Sequence, residues 1–432
     1  MIEPIYRGFD GLDVTFQGRI PGDLCEVLEG AKVEAMEARR PTLVEWRGQS
    51  FHVAESGARG GYAYRCDTGP EGATWFFSKN QKADQWNIRV SCKSAWLATK
   101  GFGRVRAEIY AFLEAIGADV MGEAIARVDY AVDVAASDLG GFVLDPTAFV
   151  MHSHTSRADH AEDIDIHGVS GRYTSVTVGK MPGRQVIIYD KTREAAARQK
   201  KEWPEIWNAS LAKQGRAPLD EGDRVFRVEL RAGKTYLKER WGITTWADLD
   251  NKLGDLFAAT LADIRYCRSN GDSNRARWPL HPIWEAVGKA VAGDLFEMCS
   301  GATPGVVKEV RRSQLAQTMS AMILGLLASW SLATGADAKA VPPAVQEMAK
   351  HYLEDQPKEF RAKIDRAAKK YVFILEEEGN GSVDCQLSQD AGRRGAGAAA
   401  EYRQGHCGGA VNPRHGDGAA CAAGASGEGV PF

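Results

Sequence analysis

The clearest alternation in the chain runs from Arg127 to Val134. Val128, Tyr130, Val132 and Val134 fall on one side and Arg127, Asp129, Ala131 and Asp133 on the other, the period of a β-strand. The same period predicts strands in LDVTFQG (12–18), TWFFSK (74–79), WNIRVSC (86–92), RYTSVTVGK (172–180), RQVIIYDK (184–191) and RVFRVELRAG (224–233). A turn at Pro182–Gly183 joins two of these as a hairpin. Helical spacing predicts helices over Asp23–Arg40, Val105–Ile116 and Lys191–Trp207. A polar, histidine-rich loop is expected near residues 150–170.

Beyond about residue 245 the pattern turns helical, over Asn251–Tyr266, Val306–Ala333 and Pro343–Leu375. The segment Gly379–Phe432 holds 13 Gly and 11 Ala in 54 residues, too little apolar surface to offset ordering entropy, and is expected to be disordered. These patterns predict an α+β fold: an antiparallel-sheet domain with helices on one face over residues 1–260, then an all-α region over 261–378, then a Gly/Ala-rich tail over 379–432. The sequence shows no convincing internal repeat, although strand-helix-strand units on either side of residue 120 are consistent with a diverged duplication.

Composition narrows the chemistry. At 432 residues and 44% hydrophobic the chain has material for more than one core. A net charge of -3 and a pI near 6.3 give no overall basic signature, so any nucleic-acid contact must come from local patches. No two of the eight cysteines have C-x-x-C spacing, which argues against a zinc or dithiol site of that type. The start, MIEPIYRGFDG, lacks the pattern of a secretory signal. The apolar run Met319–Ala333 is broken by Ser320, Ser329, Trp330 and Ser331 and predicts a buried helix rather than a membrane span. A cytoplasmic protein without a membrane partner is expected.

Two carboxylates on one face of an apolar strand are costly unless solvated, paired or metal-bound. The strand Arg224–Arg231 repeats the arrangement, with Val228 and Leu230 one way and Arg227, Glu229 and Arg231 the other; Gln185, Ile187, Tyr189 and Lys191 share a face of RQVIIYDK. If these strands lie in one sheet, Asp129, Asp133, Glu229 and Tyr189 gather on one face. Oxygen ligands of this kind suit Mg²⁺ or Mn²⁺. Taken alone, the same residues also describe a half-exposed strand with salt-bridged acids and a tyrosine at its end.

The blocks RVDYAVDV, GRYTSVTVGKMPGRQVIIYDKTRE and FRVELR, in this order, resemble the signature segments of the replication initiation factor family, which comprises rolling-circle plasmid and phage initiators and related relaxases. The likeness covers roughly residues 8–260. Where relatives commonly end the first hairpin strand in Gly-Ser-Arg, this chain has Val178–Gly179–Lys180, which keeps a charge but not the bidentate fork of arginine.

The resemblance implies a metal-dependent DNA nickase and strand transferase acting at a replication origin. Tyr189 would be the nucleophile that forms a 5′-phosphotyrosine link, and Lys191 its cationic neighbour. Asp129 and Glu229, with Asp133 as a third ligand, would hold the metal. Arg184, Lys180, Arg193, Arg227 and Arg231 are the expected DNA contacts, with a host helicase and a second copy of the chain as further candidate partners. Two other readings stay open: a non-catalytic DNA-binding replication-control protein, and a metal-dependent hydrolytic nuclease in which Tyr189 is structural. His152, His154, His160 and His167 read as part of a solvated loop, because Ser153 and acidic neighbours do not suit an interior metal strand.

Overall fold

Alternation and helical spacing assemble here into one very wide sheet with helices packed on it. The computed structural model describes residues 2–79, 82–151, 164–296, 298–337 and 339–375. In chain order the strands are β1 (Tyr6–Arg19), β2 (Thr42–Trp46), β3 (Gln49–Val53), β4 (Tyr62–Asp67), β5 (Ala73–Ser78), β6 (Ile88–Cys92), β7 (Asp119–Ala135) and β8 (Phe149–Met151). They continue with β9 (Ile164–Val169), β10 (Arg172–Gly179), β11 (Arg184–Asp190), β12 (Val225–Gly233) and β13 (Ile264–Tyr266). The helices are α1 (Gly22–Ala38), α2 (Ser94–Lys100), α3 (Phe102–Ile116), α4 (Lys191–Ala197), α5 (Trp203–Lys213) and α6 (Trp246–Asp263), then α7 (Pro282–Ala292), α8 (Val306–Thr334), α9 (Val341–Lys350) and α10 (Pro357–Tyr371).

Eleven strands form one antiparallel sheet in the order β2-β3-β4-β5-β6-β1-β7-β12-β11-β10-β9, and β8 pairs with β13 apart from it. The α+β class with an antiparallel sheet is therefore as the patterning predicts. One sheet face is apolar, because the alternation of β1, β7, β11 and β12 sends Leu12, Val14, Val128, Val132, Val186, Ile188, Val228 and Leu230 the same way, all fully buried. Against it pack the apolar stripes of α1, α3, α6 and α7, through Leu24, Ile109, Leu253 and Val287. Burying each such side chain stabilises the fold by roughly 1.5–3 kcal/mol.

The other face is not bare throughout. A second, smaller cluster joins Ile5, Tyr6, Ala135 and Val225 to Ala195 of α4 and Trp203, Trp207 and Leu211 of α5. The expected single charged helix over 191–207 is thus two. Gln199 takes a left-handed backbone, φ 57°, and Pro204 sits in the first turn of α5, so the chain turns between them and lays α5 over one end of the face.

Other differences are equally local. Strands β2, β3 and β4 lie in a stretch without clear periodicity, and Ile164–Val169, expected as loop, pairs with β10 as edge strand β9, every residue of it exposed. The helix expected over Asn251–Tyr266 starts earlier, at a capping box in which Thr245 and Asp248 bond each other's backbone, and ends where Ile264 enters β13. The helix expected over Pro343–Leu375 breaks at Gln356–Pro357.

The apolar run Met319–Ala333 is helical but not buried. It lies in α8, whose Met322, Leu324, Leu326 and Leu332 are 56%, 67%, 67% and 86% exposed. By length and composition α8 reaches what a bilayer span requires, because the uncharged stretch continues from Ser313 to Ala336. Two of its polar groups bond within the helix, the Ser329 hydroxyl donating to Gly325 O and that of Thr334 to Trp330 O, and the Ser331 hydroxyl donates to Ala336 O just past its end. Val307, at its start, is fully buried, and Arg311 bonds Glu202 at 2.6 Å, which ties the first turns to α5. The expected tail at 379–432 lies outside the described residues.

Candidate nucleic-acid cleft

Strands β7, β12 and β11 are neighbours, and their register sets three rows across the face opposite the main core. Asp133 faces Arg227, which faces Tyr189; Ala131 faces Glu229, which faces Ile187; Asp129 faces Arg231, which faces Gln185. The three acids and the tyrosine singled out from the sequence therefore share one sheet face.

Their surroundings separate them. Arg227 grips Asp133 with two bonds of 2.6 Å, Trp207 Nε1 donates to the same carboxylate at 2.7 Å, and both partners are fully buried beneath α5. The Arg227 guanidinium lies 4.1 Å from the Trp203 ring and also pairs with Asp10. This sealed ion pair holds α5 to the sheet. It corrects two expectations: Asp133 is not disposed as a metal ligand, and Arg227 has no donor exposed to a phosphate.

Asp129 and Glu229 are buried too, but the arginines that hold them, Arg127 and Arg231, are half-exposed. Arg127 bonds both oxygens of Asp129, at 2.9 and 2.6 Å, and Arg231 Nε bonds Glu229 Oε1 at 2.6 Å while standing 3.9 Å from Asp129. Burial pushes the Asp129 carboxyl up to about 7; Arg127 opposes that rise and the Glu229 carboxylate adds to it. Glu229 Oε2 is buried without a hydrogen-bond partner among the described residues. Among the described residues no group of three or more His, Cys, Asp or Glu side chains is gathered around a common point. The donor set that could take a hard cation is thus the pair Asp129 and Glu229, the latter with one oxygen left unpartnered among the described residues. Two carboxylates completed by phosphate oxygens and water are what Mg²⁺ accepts.

Tyr189 is half-buried on the floor of an open cleft of about 570 Å³. Around it stand Asp10, His167, Ser175, Arg193, Arg198, Lys200 and Arg231. It is the one tyrosine in the cleft wall, and its hydroxyl makes no hydrogen bond to a described residue. Burial holds its phenol well above the ordinary range; Glu229 raises it further and Arg227 opposes both.

Lys191 is not the next strand residue on this face, because Asp190 ends the strand by capping α4 through Arg193 N at 2.9 Å. Lys191 opens the helix instead, buried, with Nζ 5.6 Å from the Tyr189 ring and 2.8 Å from Glu194 Oε2. Burial lowers its pKa, and Arg227 lowers it further. Glu194 also receives Lys200 at 3.1 Å, so one carboxylate holds two lysines at the cleft wall.

The remaining expected DNA contacts divide. Arg193 and Arg231 line the cleft. Lys180 lies in the turn at the far end of the β10–β11 hairpin, whereas Tyr189 pairs with Ser175 near its other end. Arg184 is fully buried on the core side, since it alternates with Val186 and Ile188; it bonds Tyr236 Oη at 3.1 Å and Asp263 at 2.8 Å. It therefore cannot meet a ligand on the acidic face. His152, His154 and His160 lie outside the described residues, while His167 is exposed on β9 at the rim of the cleft.

Asp10 was not legible from periodicity. It is the extra residue of a β-bulge between Phe9 and Gly11, and the bulge turns its carboxylate toward Arg227. Gly11 beside it is required by space: a Cβ there would fall 2.6 Å from Asp129 Oδ2. An acid between an aromatic and a glycine, FDG, was the available signal.

No protein-family profile matches the chain, and no curated protein sequence matches it. Among solved structures it is similar to a rolling circle replication initiator protein from Geobacillus stearothermophilus, with 16% sequence identity, a TM-score of 0.35, and coverage of 67% of this chain and 99% of that one.

Proposed function

We propose that this chain initiates rolling-circle replication by nicking one DNA strand through Tyr189 and later rejoining it. The observation that carries the reading is the position of Tyr189: a phenol hydroxyl without a hydrogen bond to a described residue, on the floor of a cleft walled by Arg193, Arg198, Lys200 and Arg231. The order of the RVDYAVDV, RQVIIYDK and FRVELR blocks supports it independently.

In this mechanism the wall cations hold the phosphates on either side of the scissile bond. The Tyr189 oxygen attacks the phosphorus and its proton leaves to water. The bond from phosphorus to the 3′ oxygen breaks, that oxygen takes up a proton, and a 5′-phosphotyrosine ester remains. The buried Lys191 ammonium beside the ring favours the phenolate as it forms. Attack of a 3′-hydroxyl on the ester reverses the step without a nucleotide cofactor. Asp129 and Glu229 would hold a Mg²⁺ or Mn²⁺ ion, which when bound supplies Lewis-acid stabilisation of the charge developing on phosphate. Origin DNA is the partner this chemistry requires.

The test is incubation of the full chain with a supercoiled replicon or its single-stranded origin in Mg²⁺ or Mn²⁺, followed by denaturing electrophoresis. A denaturant-stable protein–DNA adduct that Tyr189→Phe abolishes is expected. Nicking without an adduct, or an adduct that survives Tyr189→Phe, overturns the proposal in favour of water as nucleophile or of another residue. Absence of nicking favours a DNA-binding control protein.

A further inference from the structure

We propose that the open face of the N-terminal half of the sheet, centred on Phe76, is a second, non-catalytic binding surface for single-stranded nucleic acid. The ligand class rests on the nickase reading; the surface rests on a correspondence between the two halves of the sheet.

Each half of the sheet begins with a long central strand, β1 or β7, and each ends with a strand that returns beside it, β6 or β12. Each then sends a helix, α3 or α6, back onto the apolar face. The correspondence extends to side chains. Arg227 of β12 stands in register between Asp133 of β7 and Tyr189 of β11. Arg89 of β6 stands in register between Thr15 of β1 and Phe76 of β5. Both guanidiniums bond a carboxylate of the central pair, Arg89 reaching Asp13 at 2.5 Å and Arg227 reaching Asp133.

Phe76 is thus the counterpart of Tyr189 without the hydroxyl. No ester can form there, but the stacking surface remains. The Phe76 ring is half-exposed, with the Arg89 guanidinium 5.3 Å from its centre and the Tyr62 ring at 6.0 Å. Its register partner on β4, Arg65, is exposed and makes no ion pair with a described residue. The half-exposed Thr15, Thr74 and Ser91 interleave these groups. Rings and guanidiniums alternating with hydroxyls suit bases and phosphates, and are too polar for an apolar protein partner. The face is also continuous with the cleft, since Asp13 is in register with Arg127, which bonds Asp129, and Arg231 follows. A strand leaving Tyr189 can therefore track across β7 and β1 to Phe76.

The test measures binding of a fluorescein-labelled dT30 oligonucleotide by anisotropy, using the full chain carrying Tyr189→Phe so that no ester forms. Adding Phe76→Leu, which keeps an apolar side chain of similar volume, is expected to weaken binding about ten-fold, and Phe76→Trp to restore it. Binding by the Phe76→Leu protein within two-fold of the parent overturns the proposal. Adduct formation with Tyr189 intact is scored separately. Loss of dT30 binding in a protein that forms no adduct sinks the nickase reading and leaves the second surface standing; an adduct with undiminished dT30 binding does the reverse.

Discussion

Tyr189 and Arg227 are register partners on adjacent strands and leave the sheet on the same face, yet only the tyrosine meets the cleft. Arg227 is sealed under Trp203 and Trp207 with Asp133 and Asp10 as counterions. Removing one partner of a buried ion pair leaves the other charge uncompensated. Arg227→Met is expected to cost about 3–5 kcal/mol in urea denaturation. Asp133→Asn should likewise lower stability without changing the metal concentration needed for nicking, whereas Glu229→Gln should raise that requirement.

The cleft arginines and the buried arginine should behave differently with salt. Arg193 and Arg198 both line the cleft. Replacing both with Gln is expected to reduce the slope of log affinity against log salt by about 1.4, roughly 0.7 per lost phosphate contact on single strands. Arg184→Gln, on the core side of the same hairpin, should leave that slope unchanged and lower the urea midpoint instead. Equilibrium binding to a single-stranded origin oligonucleotide between low and moderate salt checks both.

Acid should weaken the start of α6. Asp248 accepts from the backbone N–H groups of Thr244 and Thr245, at 3.1 and 3.0 Å, and from both hydroxyls, and these bonds hold its carboxyl well below the ordinary aspartate range. A group whose folded pKa is depressed adds stability above its unfolded value of about 4, and loses that contribution as pH falls further. Asp248→Ala is expected to cost about 1 kcal/mol at neutral pH. The gap between variant and parent should narrow as the pH of the denaturation series drops below about 4.

Hydrophobicity alone does not forecast which leucines matter. Leu324 on α8 is 67% exposed, so Leu324→Gln should change unfolding free energy by less than about 0.5 kcal/mol. Leu253 on α6 is fully buried against the sheet, and Leu253→Ala should cost about 2–5 kcal/mol. Thermal and urea unfolding of the two variants side by side tests the contrast.

What was legible in the sequence followed from alternation. The split of Val128, Tyr130, Val132 and Val134 from Asp129 and Asp133 was readable because one face of β7 is wholly apolar. The same logic read β12, and placed Tyr189 opposite Val186 and Ile188. Period-two reasoning could not follow the chain where the backbone departs from it. The bulge at Asp10 shifts register by one residue, and the cap at Asp190 turns Lys191 from strand into helix. Nor does a face pattern say which arginine meets which acid. Arg184 and Arg193 look alike in sequence, but one falls in phase with Val186 and the other on an exposed turn of α4. The exposure of α8 was hidden for a related reason: an apolar helix and a buried helix have the same composition.

The pairing of β1 with β7 has a consequence for how the chain must be made. Tyr6 meets Asp133 and Arg19 meets Asp119, so the centre of the sheet joins segments separated by the whole N-terminal half. As the chain leaves the ribosome, β1 to β6 can close on one another first, since β6 already pairs with β1. Until β7 emerges, the fourteen-residue β1 has one unpaired edge, the geometry that invites a strand from another nascent chain. Synthesis through β7 is therefore the interval in which this protein is most exposed to aggregation, and slowing translation there should lower its soluble yield.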